Sequence, residues 1–124
     1  MEWTIAEFDH PKRIVATVRG FFTIEECRIG MAELAARKDP LTPALFDHRE
    51  LDFSRTSTFD LMEMDDIFKA NKPAFSFSKI AILVSGEIPM KAATKWQRVA
   101  QGSTGGQISI FATEPEALDW LREN

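Results

Sequence analysis

Apolar and polar residues alternate over two short N-terminal runs and recur at helical spacing farther along, a pattern typical of a mixed α/β domain. Residues 2–8 and 13–19 are β-prone, and the string Asp9-His10-Pro11-Lys12 between them suits a turn, which predicts an antiparallel hairpin. Three later apolar runs have strand length: residues 44–48, 80–85 and 107–112. The second of these is continuously apolar, as expected of a strand that is covered on both faces.

Helical spacing occurs in three segments between the strands, residues 24–38, 57–71 and 90–100, and in a short segment after Thr113. The apolar face expected of the first helix contains Ile24, Cys27, Met31, Leu34 and Ala35. The third helix is expected to turn inward Ala92, Ala93, Trp96 and Val99. The order ββαβαβαβα, with right-handed crossovers, predicts one domain over residues 1–124 and a mixed, mostly parallel sheet.

Hydroxyl residues stand where three of the helices begin. Thr23 and Thr113 are each followed three positions later by a glutamate, and Ser57 by Asp60, which is the spacing of a capping box. Gly30 lies inside the first helix, where glycine costs about 1 kcal/mol relative to alanine. Its presence there indicates close packing against the helix.

The composition and charge of the chain favour some kinds of protein and disfavour others. The 124 residues include ten Phe and no Tyr, so the core should be rich in Phe, and the formal net charge of −4 opposes binding to nucleic acid. Cys27 is the single cysteine and lies on an apolar helix face, which favours a reduced, cytoplasmic protein. The start lacks the basic and apolar regions of a signal peptide, and no apolar run is long enough to cross a bilayer.

Candidate catalytic residues are few. Asp47 and His48 are adjacent on a predicted strand, so their side chains should point to opposite faces. Two histidines and one cysteine without paired spacing do not form a recognisable zinc site. The glycine-rich loop at 102–106 lacks the Lys-Ser/Thr pair of a P-loop. We therefore expect a non-enzymatic protein that needs no cofactor or metal.

Two surface features could bind a partner. On the second helix, Phe59 and Met62 project opposite the apolar side formed by Leu61, Met64, Ile67 and Phe68. They either pack under a neighbouring element or form a binding patch or dimer surface. A basic stripe with i, i+4, i+7 spacing on the third helix contains Lys91, Lys95 and Arg98. It is either solvated or meets an acidic partner or an anionic membrane surface.

The order of elements, together with the strings GFFTIEE, ALFDHRELDFS, KIAILV and ISIFATEPEALDWL, resembles the SpoIIAA-like branch of the STAS superfamily, the anti-sigma factor antagonist fold. The resemblance covers nearly the whole chain and implies a small cytoplasmic α/β domain with a curved sheet against helices. In that family, a partner kinase phosphorylates a serine at the start of the helix that follows an Asp-containing strand. Asp47 corresponds to that aspartate, and Thr56 and Ser57 to the phosphorylated position, although the Asp and Gly that flank the family's serine are missing here.

The leading hypothesis is thus a non-enzymatic regulatory or protein-binding domain that acts through residues 52–62. Arg55, Phe59 and Met62 are the candidate contacts to a protein partner or to a second copy of the chain. The alternative is a small carrier that holds an apolar ligand or lipid in its Phe-rich interior, with Phe75 and Phe77 near one end of the sheet. The resemblance supports this alternative only through a likeness of related proteins to the lipid-exchanging CRAL-TRIO fold.

Overall fold

The computed structural model describes residues 1–87, 90, 91, 93–95, 97, 98 and 107–123, except for the side chains of Thr58 and Leu61. The expected inward positions of Ala92, Trp96 and Val99, and the loop at 102–106, lie outside the described residues. The strands are β1 (Glu2–Asp9), β2 (Lys12–Phe21), β3 (Ala44–Asp52), β4 (Lys79–Leu83) and β5 (Gln107–Phe111). The helices that are described as complete elements are α1 (Ile24–Arg37), α2 (Thr58–Ala70), α3 (Lys72–Phe75) and α4 (Glu114–Arg122).

The five strands form one sheet in the order β1-β2-β3-β4-β5. β1 and β2 form the predicted antiparallel hairpin, and every later neighbour is parallel, which confirms the mixed, mostly parallel sheet. β3 continues to Asp52, beyond the predicted end at His48. The reason is non-local, because β2 extends to Phe21 and pairs with β3 up to Asp52 after an irregularity between Thr17 and Arg19.

Both faces of the sheet are covered over its central strands. α1, α2 and α3 pack on one face, where the largest fully buried side chains include Phe46, Phe68 and Phe75. α4 covers the reverse face through Ala117 and Leu121. Residues 80–84 are at most 1% exposed, so this part of the apolar run predicted at 80–85 is buried on both sides of the sheet, as expected. Ser85, the last residue of the predicted run, is exposed and lies beyond the end of β4.

The first helix packs closely against the hairpin at Gly30. A Cβ built on Gly30 would lie within 2.6 Å of three atoms of the Trp3 indole, closer than real Cβ atoms approach a neighbour. Gly30 is buried in the helix together with Cys27, Met31 and Leu34. The close packing expected from this glycine is therefore confirmed.

The threonine caps differ from the prediction. The Thr23 hydroxyl accepts the backbone N–H of Glu26 at 3.3 Å, but the Glu26 carboxylate binds the N-terminal ammonium group of Met1 at 2.8 Å. Thr113 makes no hydrogen bond to the helix backbone, so the capping box predicted there is wrong. Its hydroxyl donates to the Glu116 carboxylate at 2.7 Å, and this direct contact replaces the two backbone contacts.

Candidate functional site

The loop after β3 is held by short-range hydrogen bonds and by aromatic contacts of Phe53. The Asp52 carboxylate accepts the backbone N–H of Ser54 at 2.8 Å, and the backbone N–H of Thr56 donates to the carbonyl of Phe53 at 2.9 Å. The Phe53 ring stacks on Phe22 with centroids 5.5 Å apart. These contacts anchor the loop to the core and fix the direction in which α2 begins.

Ser57 caps α2 with the complete capping box that its spacing predicts. Its hydroxyl accepts the backbone N–H of Asp60 at 3.2 Å, and the Asp60 carboxylate accepts the backbone N–H of Ser57 at 2.9 Å. The hydroxyl is thus already used for stabilising the helix start. The neighbouring Thr56 hydroxyl is sealed from solvent and has no hydrogen-bond partner among the residues that the structure describes.

The Arg55 side chain lies on the surface against the aromatic ring of Phe21, the last residue of β2. Its guanidinium carbon lies 3.7 Å from the centroid of Phe21, a ring that is itself 40% exposed. An Arg over an aromatic face gains about 0.5–1 kcal/mol at an exposed site. The sequence reasoning missed Phe21 because its contact to Arg55 depends on the pairing of β2 with β3.

Phe59 and Met62 lie on the outer face of α2. They are 78% and 66% exposed, so neither packs under a neighbouring element. The opposite face of the helix is buried through Met64, Ile67 and Phe68, each at most 5% exposed. We call Arg55, Phe59 and Met62 the α2 surface. An ion pair between Arg28 and Glu63, at 3.3 Å, ties α1 to α2 beside it.

Asp47 and His48 face opposite sides of the sheet and do not form a catalytic pair. The Asp47 carboxylate accepts two hydrogen bonds from the Arg49 side chain, at 2.9 and 2.7 Å, and these bonds lower the pKa of Asp47. The His48 ring lies on the helix side, 5.8 Å from Phe46 and 6.2 Å from Phe53 between centroids. Burial among these rings lowers the pKa of His48 to about 4.

Metal-binding and membrane-spanning features are not found in the described part of the chain. No group of three or more His, Cys, Asp and Glu residues is placed to hold a metal ion there. None of the helices described has the length and apolar character needed to cross a bilayer. The side chains of the predicted basic stripe, Lys91, Lys95 and Arg98, are exposed and lie on helical backbone between β4 and β5.

In the described part of the interior, phenylalanine rings pack around Phe75, one of the two residues on which the carrier hypothesis depends. Phe75 is fully buried, and its ring lies 5.8 Å from Phe68 and 6.4 Å from Phe46 between centroids. Phe77, the other phenylalanine expected at that end, is 72% exposed. The aromatic rings therefore contact one another in the core.

A hairpin followed by parallel strands, with α1–α3 on one face and α4 on the other, defines a SpoIIAA-like α/β fold. A crystal structure from Shewanella loihica, described as an uncharacterised protein of the DUF3478 family with a SpoIIAA-like fold, is similar to this chain. It covers 97% of this chain and 92% of its own, with a TM-score of 0.59 and 26% identity. The SpoIIAA-like fold expected from the sequence is thereby confirmed.

A scan against protein-family models gave no match. A search of curated proteins gave no match either.

Proposed function

We propose that the protein is a non-enzymatic, cytoplasmic regulatory protein that binds a protein partner through the α2 surface. The observation that carries this proposal is the exposure of Phe59 and Met62, at 78% and 66%, on a helix whose other face is in the core. Large apolar side chains that are exposed together are typical of interaction sites. The SpoIIAA-like fold adds support, because it is the fold of the anti-sigma factor antagonists.

The α2 surface has the composition of a small binding hot spot. Complete burial of a Phe or Met side chain contributes about 1.5–3 kcal/mol, so Phe59 and Met62 together offer a binding partner several kcal/mol. Arg55 lies in the loop that leads into α2 and is already oriented by its contact with Phe21. An oriented arginine loses less conformational entropy on binding than a free one, and arginine is enriched at hot spots.

Site-specific crosslinking in the native host tests the proposal. A photoreactive phenylalanine analogue at position 59 should give one discrete adduct, whereas the same analogue at Leu41 should not. Leu41 is a suitable control because it is 74% exposed and lies in the connection between α1 and β3. Phe59→Ser and Met62→Ser should each lower recovery of the partner by about tenfold or more, and Leu41→Ser should not. Equal recovery from all these variants would refute the proposal.

Phosphorylation at Ser57 is the form of regulation that fits this surface. A phosphate on Ser57 would disrupt the hydrogen bond that its hydroxyl accepts from the backbone N–H of Asp60. It would also place negative charge beside the Asp60 carboxylate. We therefore expect it to loosen the start of α2 and weaken partner binding. Ser57→Asp should lose a partner that Ser57→Ala retains, and identical recovery with both would count against this regulation. Thr56 is a poorer target because its hydroxyl is sealed from solvent.

A second copy of the chain is the other protein that could cover the α2 surface. Sedimentation velocity separates the two cases, because Phe59→Asp should lower the oligomeric state only if the surface is self-complementary. The carrier function receives less support, since Phe46, Phe68 and Phe75 pack against one another. Native mass spectrometry of protein from its own host would reverse this ranking if it showed a retained apolar ligand.

A further inference from the structure

A polar pocket of about 250 Å³ lies at the opposite end of the sheet from the α2 surface. It is bounded by the turn between β1 and β2 and by the end of α1. Its lining includes four basic side chains: Lys12, Arg13, Arg37 and Lys38. The pocket has no part in the function proposed above.

The positive charge of Arg13 is buried and has no ion-pair partner among the described residues. This residue is 9% exposed, and its one hydrogen bond to the described residues runs from Nη1 to the carbonyl of Pro11 at 2.9 Å. Nε is sealed from solvent without a partner, and no carboxylate of the described residues forms an ion pair with this guanidinium. Arginine cannot discharge by losing a proton, and a buried charge is normally paired.

The geometry leaves one nitrogen of this guanidinium, Nη2, open to a ligand. Nη2 makes no hydrogen bond within the described chain and, unlike Nε, is not sealed from solvent. The Phe8 ring lies beneath the group, with the guanidinium carbon 4.6 Å from the ring centroid. The plane of the guanidinium is thus oriented by Phe8 and by the carbonyl of Pro11 while Nη2 remains available.

The other three basic groups of the pocket differ in whether they already have partners in the protein. The Lys38 ammonium has three N–H donors and lies within hydrogen-bond distance, 2.6–3.4 Å, of four oxygens: the carbonyls of Asp39, Pro40 and Ala74 and the hydroxyl of Ser78. It is therefore committed to holding the end of α1 against α3. Lys12 and Arg37 have no ion-pair partner among the described residues, and both line the pocket.

Acidic groups also line the pocket and limit what it can hold. Glu7 and Asp9 are exposed to water, while the Asp39 carboxylate accepts the backbone N–H of Leu41 at 2.8 Å. The carbonyl end of α1 adds further negative potential. A carboxylate in water loses little free energy when it has no ion-pair partner, whereas a buried guanidinium loses much. The group that still needs a partner is therefore Arg13, and the partner it needs is an anion. The acidic rim favours a small anion over a polyanion.

We propose that this pocket binds a small oxyanion, a carboxylate or phosphate group, with Arg13 as its main ligand and Arg37 and Lys12 at the rim. An oxygen of such a group can accept a charge-assisted hydrogen bond from Nη2. The occupied pocket would pair the Arg13 charge that the chain itself leaves unpaired.

The guanidinium resonances of the intact protein test this directly. The Nε–Hε signal of Arg13, observed by ¹H–¹⁵N NMR, should shift saturably as inorganic phosphate or acetate is added at constant ionic strength. The signal of Arg122, which is exposed and paired with Asp119 at 2.9 Å, should not. Saturation with phosphate alone would identify a phosphate site, and saturation with acetate alone a carboxylate site. The absence of a saturable shift with both anions would overturn the proposal.

Two variants separate a ligand from a structural role. Arg37→Ala removes an exposed charge at the rim of the pocket, so this variant should fold normally and lower the affinity for the anion at least about tenfold. Arg122→Ala should leave that affinity unchanged. In Arg13→Met, the thermal stabilisation that the anion gives the native protein should vanish. Stabilisation that persists in both Arg13→Met and Arg37→Ala would mean that the anion acts elsewhere. If Arg13→Met fails to fold, the Arg37 and Arg122 variants decide the question.

Discussion

Gly30→Ala sets helix propensity against packing, and the structure predicts which effect is larger. In a free helix, alanine would be favoured over glycine by about 1 kcal/mol. In this protein the new methyl group would overlap the Trp3 indole, three atoms of which lie within 2.6 Å of the position that the alanine Cβ would take. Ordinary van der Waals contact begins at 3.4 Å, so the indole or the helix must shift by about 0.8 Å or more.

The shift cannot be absorbed by a flexible chain end, because the clashing atoms belong to a rigid ring. Forcing extra methylenes into a packed core typically costs about 1–3 kcal/mol. The gap here is large, and separating the indole from α1 would also expose part of a ring that buries about 150–250 Å² when fully covered. After the propensity gain is subtracted, we expect Gly30→Ala to lower the free energy of unfolding by about 1–3 kcal/mol.

Urea denaturation of four proteins measures the effect: the native chain, Gly30→Ala, Trp3→Ala and the double variant. With the indole removed, Gly30→Ala should become neutral or stabilising by up to about 1 kcal/mol, as in a free helix. Ala32→Gly, at an exposed position of the same helix, should cost about 1 kcal/mol and calibrates the propensity effect. A Gly30→Ala protein that is more stable than the native chain would refute this reasoning.

Three further predictions concern stability and reactivity. Ser57→Ala removes the cap of α2 and should lower the free energy of unfolding by about 1 kcal/mol in urea denaturation; no change would mean that Asp60 alone suffices. Burial raises the pKa of Cys27 to about 12, so a thiol reagent should modify it only as the protein unfolds, and rapid labelling of the native protein would contradict this. The pKa of His48 falls from 6.5 to about 4 on folding, so its neutral form is favoured by the fold. The contribution of His48 to stability should be fully present above pH 6.5 and should fall by up to about 3 kcal/mol as the pH is lowered toward 4. His48→Gln should therefore lose less stability over that range, and parallel curves would contradict the assignment.

Elements that depend on short-range signals were predictable from the sequence. The turn at Asp9-His10-Pro11-Lys12 and the cap at Ser57 each follow from residues within a few positions of one another. A glycine inside a helical pattern predicted close packing at Gly30, but not that the partner is Trp3. The end of β3 did not follow, because strand pairing with β2 extends it to Asp52. Thr113 has the same spacing signal as Ser57, but its hydroxyl pairs with the Glu116 side chain directly. A spacing rule does not determine which of these two geometries forms.

The surfaces were predictable only in part. Helical spacing placed Phe59 and Met62 opposite the core, and both are exposed. The contact between Arg55 and Phe21 was missed because the two residues are distant in sequence and meet only where β2 pairs with β3. The burial of Arg13 was missed for a related reason. An arginine beside a hairpin turn is ordinarily solvated, and only the packing of neighbouring elements encloses it.

Strand β2 connects the two sites proposed for this protein, with Arg13 near its beginning and Phe21 at its end. Arg13 and Phe21 are eight residue steps apart along the strand, about 26 Å at roughly 3.3 Å per step. Perturbations this far apart and without shared contacts normally add independently. The lower anion affinity of Arg37→Ala should therefore leave crosslinking at position 59 unchanged, and Phe59→Ser should leave the anion affinity unchanged. Mutual dependence would mean that β2 moves as a unit, since it is the one strand that carries contacts of both sites.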